Sequence, residues 1–219
     1  MKGVTVYAFS LENFKRSKEE VDQIMRLGKF QLAKYCRPGE LAERYQCAVR
    51  VMGQLDLLDD DFRETIDKAV ETTRHRKERF LNLCMAYTSR EEMAHAIRVT
   101  VKECCLKKIS PSTITAQSLT AQMYISDDPP VDIMVRTSGV NRFSDFLLWQ
   151  CHQDTHIQIV DVMWPDFGMC QLFLVIIRWQ RRMHAADIQK HPNGFLLTPF
   201  IFAIMAISLG CSLLSNVFH

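Results

Sequence analysis

No C-x-x-C pair occurs among the eight cysteines of this 219-residue sequence, and their scattered positions exclude a disulfide framework. Cys36, Cys47, Cys84, Cys104, Cys105, Cys151, Cys170 and Cys211 therefore read as reduced thiols, mostly in the core. His152 and His156 stand beside Cys151, but no second Cys or His pair lies at zinc spacing, which argues against a zinc site. Excess charge is also missing: Lys+Arg 27 against Asp+Glu 25 leaves a formal net charge of +2, too balanced to mark a nucleic-acid binder. Gly-rich nucleotide loops, G-x-S-x-G and H-E-x-x-H are absent, so dinucleotide binding, serine-hydrolase chemistry and zinc proteolysis lose their usual signatures. The apolar stretch after Met1-Lys2-Gly3 is too short for a signal-peptide core.

What is present is a globular composition, 47% hydrophobic and 24% charged, in a chain long enough for one domain with a sizeable core. Short β-branched runs alternate with amphipathic stretches of helix length, the pattern of an α/β fold with a mostly parallel sheet flanked by helices. Strands are expected at 4–9, 48–52, 81–85, 132–135 and 157–162. Ser17 with Glu20, and Ser89 with Glu92, fit reciprocal capping boxes. Behind Ser17, residues Val21, Ile24, Met25, Gly28, Leu32 and Tyr35 form one face; behind Ser89, so do Met93, Ala96, Ile97, Val101 and Cys104, and both faces are expected to pack on the sheet. A third helix is expected over 62–74, after Asp59-Asp60-Asp61, whose carboxylates suit a helix N-terminus better than a metal.

Residues 1–190 make up the main domain and 191–219 a hydrophobic tail; from Phe195 onward no Asp, Glu, Lys or Arg occurs. The tail exceeds the roughly 20 residues that cross a bilayer, and the flanking Arg178, Arg181, Arg182 and Lys190 would place the main domain on the cytosolic side. Pro199, Gly210 and several serines fit a buried, packed tail equally well.

Two loops concentrate the chemistry. Arg136, Arg142 and Ser144 follow the strand ending at Val135 and precede an expected helical run at 145–150. Ligands of open parallel sheets bind outside the carboxyl ends of strands, and forked guanidinium groups beside helix amides suit a diphosphate there; a solvated loop with two surface arginines fits the spacing equally well. The second loop, 7–16, follows the first strand. Its Phe9 and Phe14 offer aromatic faces, Ser10 and Asn13 hydrogen-bonding groups and Arg16 an anion partner.

Four blocks carry a family likeness: Y-A-F-S-x-E-N-F-K-R at 7–16, N-x-C-x-A-Y-T-S-R at 82–90, R-T-S-G-x-x-R-x-S-D-F-L-L-W-Q at 136–150 and W-P-D-F at 164–167. In order and spacing they resemble the cis-prenyltransferases over roughly residues 4–190, in the eukaryotic dehydrodolichyl diphosphate synthase branch. The resemblance implies condensation of isopentenyl diphosphate onto farnesyl diphosphate with Mg2+, giving a long polyprenyl diphosphate for dolichol and protein glycosylation. It implies a heteromer with a Nogo-B receptor-like subunit at the endoplasmic reticulum membrane, and no nucleic-acid partner. Carried over, Arg136, Arg142 and Ser144 hold isopentenyl diphosphate. Asn13 and Ser10 organise the reacting end as catalytic residues; Phe9 and Phe14 border the prenyl chain, and Arg16 sits near a diphosphate. The family's magnesium-binding aspartate lies in a D-G-N-x-R loop upstream of Y-A-F-S, so no residue here inherits that role, and the expected metal ligands are none. Val140 stands where the family has glutamate. The resemblance thus points to an N-terminally truncated form lacking the first strand and catalytic loop, as a synthase subunit or as a catalytically inactive, partner-binding one.

Overall fold

A computed structural model describes residues 1–126, 128–190 and 201–205. The strands are β1 (Gly3–Tyr7), β2 (Cys47–Met52), β3 (Arg79–Cys84), β4 (Ile133–Arg136), β5 (His156–Ile159) and β6 (Ile201–Met205). They form one sheet in the order β2-β3-β1-β6-β4-β5, with every pairing parallel. The helices are α1 (Lys18–Tyr35), α2 (Leu41–Arg44), α3 (Asp60–Thr73), α4 (Ser89–Cys105), α5 (Ala116–Thr120) and α6 (Met169–Lys190). Each residue of β1 and β4 is buried, as expected for strands covered on both faces.

Burial divides into two layers. On one face Val4, Val6, Val49, Leu81, Leu83, Ile133 and Val135 pack with Leu32 and Tyr35 of α1, Phe62 and Ile66 of α3, and Leu172, Val175 and Trp179 of α6. On the other, Tyr7, Cys84 and Met134 meet Tyr87, Phe146 and Leu147. Across the sheet's middle runs a polar row that the sequence patterns did not announce. Thr5 and Arg50 both stand in register with Asn82. The fully buried Asn82 donates Nδ2 to Thr5 Oγ1 (3.2 Å) and to Asp128 Oδ2 (2.5 Å), and Arg50 pairs with the same carboxylate.

The five expected strands all form, within a few residues of their expected bounds. Ser17 caps α1, its hydroxyl accepting from Glu20 N–H, but the Glu20 carboxylate meets the Ser17 hydroxyl and does not return the bond to the Ser17 amide, so the expected box is only half made; α3 begins at Asp60 rather than at 62. The cysteines among the described residues are free thiols.

Three expectations are corrected. The cap of α4 is Thr88, whose hydroxyl accepts from Glu91 N–H; Ser89 and Glu92 lie inside the helix with both side chains buried. The inward stripe of α4 is Ser89, Glu92, Ala96 and Thr100, so Ile97 and Val101 face outward at 51% and 52% exposure. Small inward residues bring the helix close, and the buried carboxylate draws that stripe inward because its hydrogen-bond partners are there. Finally, residues 145–150 form turns, not a helix, since Asp145 and Leu147 are left-handed at φ 62 and 47.

Of the uncharged tail, only Ile201–Met205 are described, and they are a central strand: Gly3 to Val6 pair with Ile201 to Ile204, and Ile133 to Arg136 pair with Phe202 to Met205. Residues 191–200 and 206–219 lie outside the described residues. Among the described residues no helix is long and apolar enough to cross a membrane.

Candidate active site

Both loops singled out by chemistry leave the carboxyl end of the sheet, from β1 and β4, with only β6 between those strands. Tyr7 connects them. Its ring stacks on Phe146 (centroids 4.6 Å apart, 12° between planes), and its hydroxyl lies 3.0 Å from the Tyr87 carbonyl and 3.3 Å from the Ser144 carbonyl. Burial pushes the Tyr7 phenol well above its ordinary range, which keeps it a donor.

Arg136 ends β4 with 5% exposure, and its Nε has no hydrogen-bond partner. Burial chiefly, and the nearby Arg142 charge secondly, press its pKa downward. No carboxylate among the described residues pairs with either guanidinium. A buried cation next to a second cation is poorly solvated, so an anion with several oxygens is the partner that relieves both. Ser138 and Gly139, between the two arginines, and Ser144, Asp145 and Leu147, just after Arg142, take positive φ. Gly139 is suited to φ +63, and a Cβ there would stand 2.7 Å from Asp161 Oδ1. The Ser138 and Gly139 amides donate to Val162 and Val160 carbonyls, fastening the loop to the segment after β5.

The first loop contains a 3-10 turn at Leu11–Lys15 capped by two expected site residues. Ser10 Oγ accepts from Glu12 N–H (3.1 Å), and Asn13 Oδ1 accepts from Ser10 N–H (2.8 Å). The cap fixes both residues and leaves the Asn13 NH2 group as a donor. Phe9, 2% exposed, meets Phe14 edge-on at 4.9 Å in the apolar layer against α1 and α3. Arg16 pairs with Glu20 at 3.9 Å rather than joining the two arginines of the other loop.

Sequence patterns missed the support beneath this surface. Glu92 is fully buried and accepts from Tyr87 O–H (2.5 Å), Gln150 Nε2 (3.0 Å) and Tyr124 N–H (2.9 Å). Desolvation raises its pKa, offset partly by these donors. A carboxylate at i+3 from Ser89 has capping-box spacing, which concealed it; an acid in a stripe otherwise made of Ser, Ala and Thr was the available signal. Among the described residues no cluster of three or more His, Cys, Asp or Glu is placed to hold a metal ion. The carboxylate following Ser144, Asp145, is already paired with Arg90. Among the described residues no magnesium ligand is therefore assigned.

The family model described as putative undecaprenyl diphosphate synthase matches residues 1–186. A dehydrodolichyl diphosphate synthase complex subunit of Schizosaccharomyces pombe is 42% identical over 180 residues, covering 82% of this chain and 68% of that protein. The human subunit of the same description is 40% identical over 187 residues, 85% of this chain but 55% of its own length. This chain thus spans little more than half of the human relative. Among solved structures, lavandulyl diphosphate synthase from Lavandula x intermedia, in complex with dimethylallyl diphosphate, superposes with a TM-score of 0.76 at 26% identity, covering 82% of this chain and 76% of that one. A probable undecaprenyl diphosphate synthase from Campylobacter jejuni gives 0.72 at 28% identity, covering 83% and 81%. With its parallel sheet, its arginine loop at the carboxyl edge and these matches along most of its length, the chain belongs to the cis-prenyltransferase family of undecaprenyl and dehydrodolichyl diphosphate synthases.

Proposed function

We propose that this chain is a subunit of a dehydrodolichyl diphosphate synthase complex and that its arginine loop binds the diphosphate of isopentenyl diphosphate. The observation that carries the reading is Arg136: buried, without a partner at Nε and crowded by Arg142. A diphosphate oxygen is the acceptor this guanidinium lacks, and the pair neutralises the substrate's charge. Ser144 lies beside them, its backbone held by Tyr7. Phe9 and Phe14 border the apolar chain of a farnesyl diphosphate acceptor, and Arg16 and the Asn13 amide serve its reacting end. In the reaction a carbon–carbon bond forms at the allylic carbon, that carbon's diphosphate leaves and a proton is lost from the isopentenyl unit. No described residue is assigned to hold the magnesium that the resemblance implies, and no step is routed through it.

Calorimetry with isopentenyl diphosphate tests the site. Replacing Arg136 or Arg142 by Ala removes a charge-assisted contact and is expected to weaken binding by about 1.5–3 kcal/mol. Unchanged affinity in both variants defeats the assignment. Incorporation of labelled isopentenyl diphosphate, with farnesyl diphosphate and magnesium, then separates an active subunit from one that only binds.

The outward apolar residues favour a partner. Ile97 and Val101 of α4, and Phe173 and Leu174 of α6 (62% and 53% exposed), lie on surfaces that a second subunit, such as a Nogo-B receptor-like homologue, would cover. A long polyprenyl product does not leave for water, so we place the work at the endoplasmic reticulum membrane, with the domain on its cytosolic side. Alkaline carbonate extraction of cell membranes is expected to release the chain, as attachment through a partner requires. Retention in the pellet would mean that the chain itself inserts.

A further inference from the structure

We propose that the first turn of α4 is the mould of the arginine loop, and that Arg90 and Asp145 are positioning residues for diphosphate binding. The inference rests on the binding role given above to Arg136, Arg142 and Ser144.

Segment 144–150 contains three of the left-handed residues, Ser144, Asp145 and Leu147, none of them glycine. Such backbone is unfavourable for residues that carry a Cβ and persists only where its surroundings hold it. The holding groups come from one place. Ser89 N–H donates to the Asp145 carbonyl (2.7 Å), and Ser89 Oγ accepts from Leu148 N–H (3.0 Å). Arg90 uses its backbone N–H on Asp145 Oδ1 (3.1 Å) and its side-chain Nε on Asp145 Oδ2 (2.7 Å). One turn further, Glu92 receives Gln150. The amides that a helix leaves free in its first turn are thus spent on a neighbouring loop instead of on solvent or ligand.

The Arg90–Asp145 pair is asymmetric. Asp145 is 11% exposed at its side chain and Arg90 73%, so the carboxylate is fixed in the wall and the arginine closes over it. Asp145 directly follows Ser144 and lies three residues from Arg142, so a rotation at Asp145 moves the groups proposed to meet the diphosphate. Arg90 acts through that rotation; its own Nε is committed to Asp145 rather than to a ligand.

A double-mutant cycle separates this role from direct contact. Arg90→Ala, Asp145→Asn and the double variant are compared by calorimetry with isopentenyl diphosphate, alongside melting temperature and amide exchange over 144–150. Arg90 is exposed and Asp145→Asn is isosteric, so all three are expected to fold with nearly unchanged melting. Each single variant is expected to weaken binding about tenfold, the double variant no more than the worse single one, and exchange over 144–150 to rise in all three. Arg90→Lys, which retains the charge but not the fork, is expected to rescue little. Additive losses would make Arg90 a direct ligand and overturn the proposal, as would full affinity in Arg90→Ala. If the unmodified chain binds no isopentenyl diphosphate, the functional reading fails. Exchange then judges the mould alone: a rise over 144–150 supports it, and unchanged protection overturns it.

Discussion

Deleting residues 195–219 is expected to abolish the cooperative unfolding transition of this protein. The deletion removes β6, and with it the register pairs to β1 on one side and to β4 on the other. Two separate sheet fragments then remain, β2-β3-β1 and β4-β5, each with a buried strand turned into a bare edge. Unpaired interior amides and carbonyls cost about 1–3 kcal/mol each, so losing several of them consumes the roughly 5–15 kcal/mol by which domains are stable. A gentler probe is Ala203→Pro, which deletes one ladder N–H at the midpoint of β6, where residue 203 pairs with Thr5 and with Met134. Thermal unfolding followed by circular dichroism, with amide spectra of β1 and β4, reads both variants. A deletion variant that melts cooperatively at the parental temperature, with those spectra undisturbed, would remove β6 from the sheet.

Glu92→Ala is expected to cost about 3–5 kcal/mol, because it strands three donors in the interior: the Tyr87 hydroxyl, the Gln150 amide and the Tyr124 backbone N–H. Glu92→Gln retains size and an acceptor and should cost less than half as much. Urea unfolding measures both, and a loss under about 1 kcal/mol for the alanine variant would show that the cluster does not support the fold. The carboxyl also sets a pH dependence. Burial raises its folded pKa above the unfolded value of about 4.3, so between those two values the native state holds the extra proton. Stability contributed by Glu92 is accordingly full below about pH 4.3 and declines as pH rises through the folded value. Glu92→Gln cannot titrate, so the difference in stability between it and the parent chain should shift in its favour across that window. A constant difference from pH 4 to 8 would contradict a raised pKa.

The sequence made the outer framework legible because its signals were local. Residues 4–6 and 48–52 alternate with capped amphipathic runs, and that arrangement reports a parallel sheet without knowledge of partners. The arginine loop was legible for a similar reason: Arg136, Arg142 and Ser144 bring their chemistry with them. What stayed hidden depends on tertiary context. Nothing in the composition of Ser144-Asp145-Phe146-Leu147 indicates left-handed backbone, since the hydrogen bonds that enforce it come from Ser89 and Arg90, more than fifty positions away. Apolar residues at 97 and 101 obeyed helical spacing and still faced outward, because Glu92, with partners inside, chose the inward stripe. Ile201–Met205 sat in an unbroken apolar run, where membrane helix, buried packing and central strand share one composition.

The position of β6 also constrains how the molecule is made. Every other strand among the described residues precedes it in the chain, yet it belongs in the middle of their sheet. During translation β1 to β5 leave the ribosome with a seam open between Gly3–Tyr7 and Ile133–Arg136, and the seam stays open until β6 is delivered. At about 5–20 residues per second this exposes two apolar, hydrogen-bond-hungry edges for seconds. A nascent chain of this design has to be shielded by chaperones through that interval or lose material to aggregation. Stop codons placed shortly before residue 201 should therefore lower soluble yield sharply.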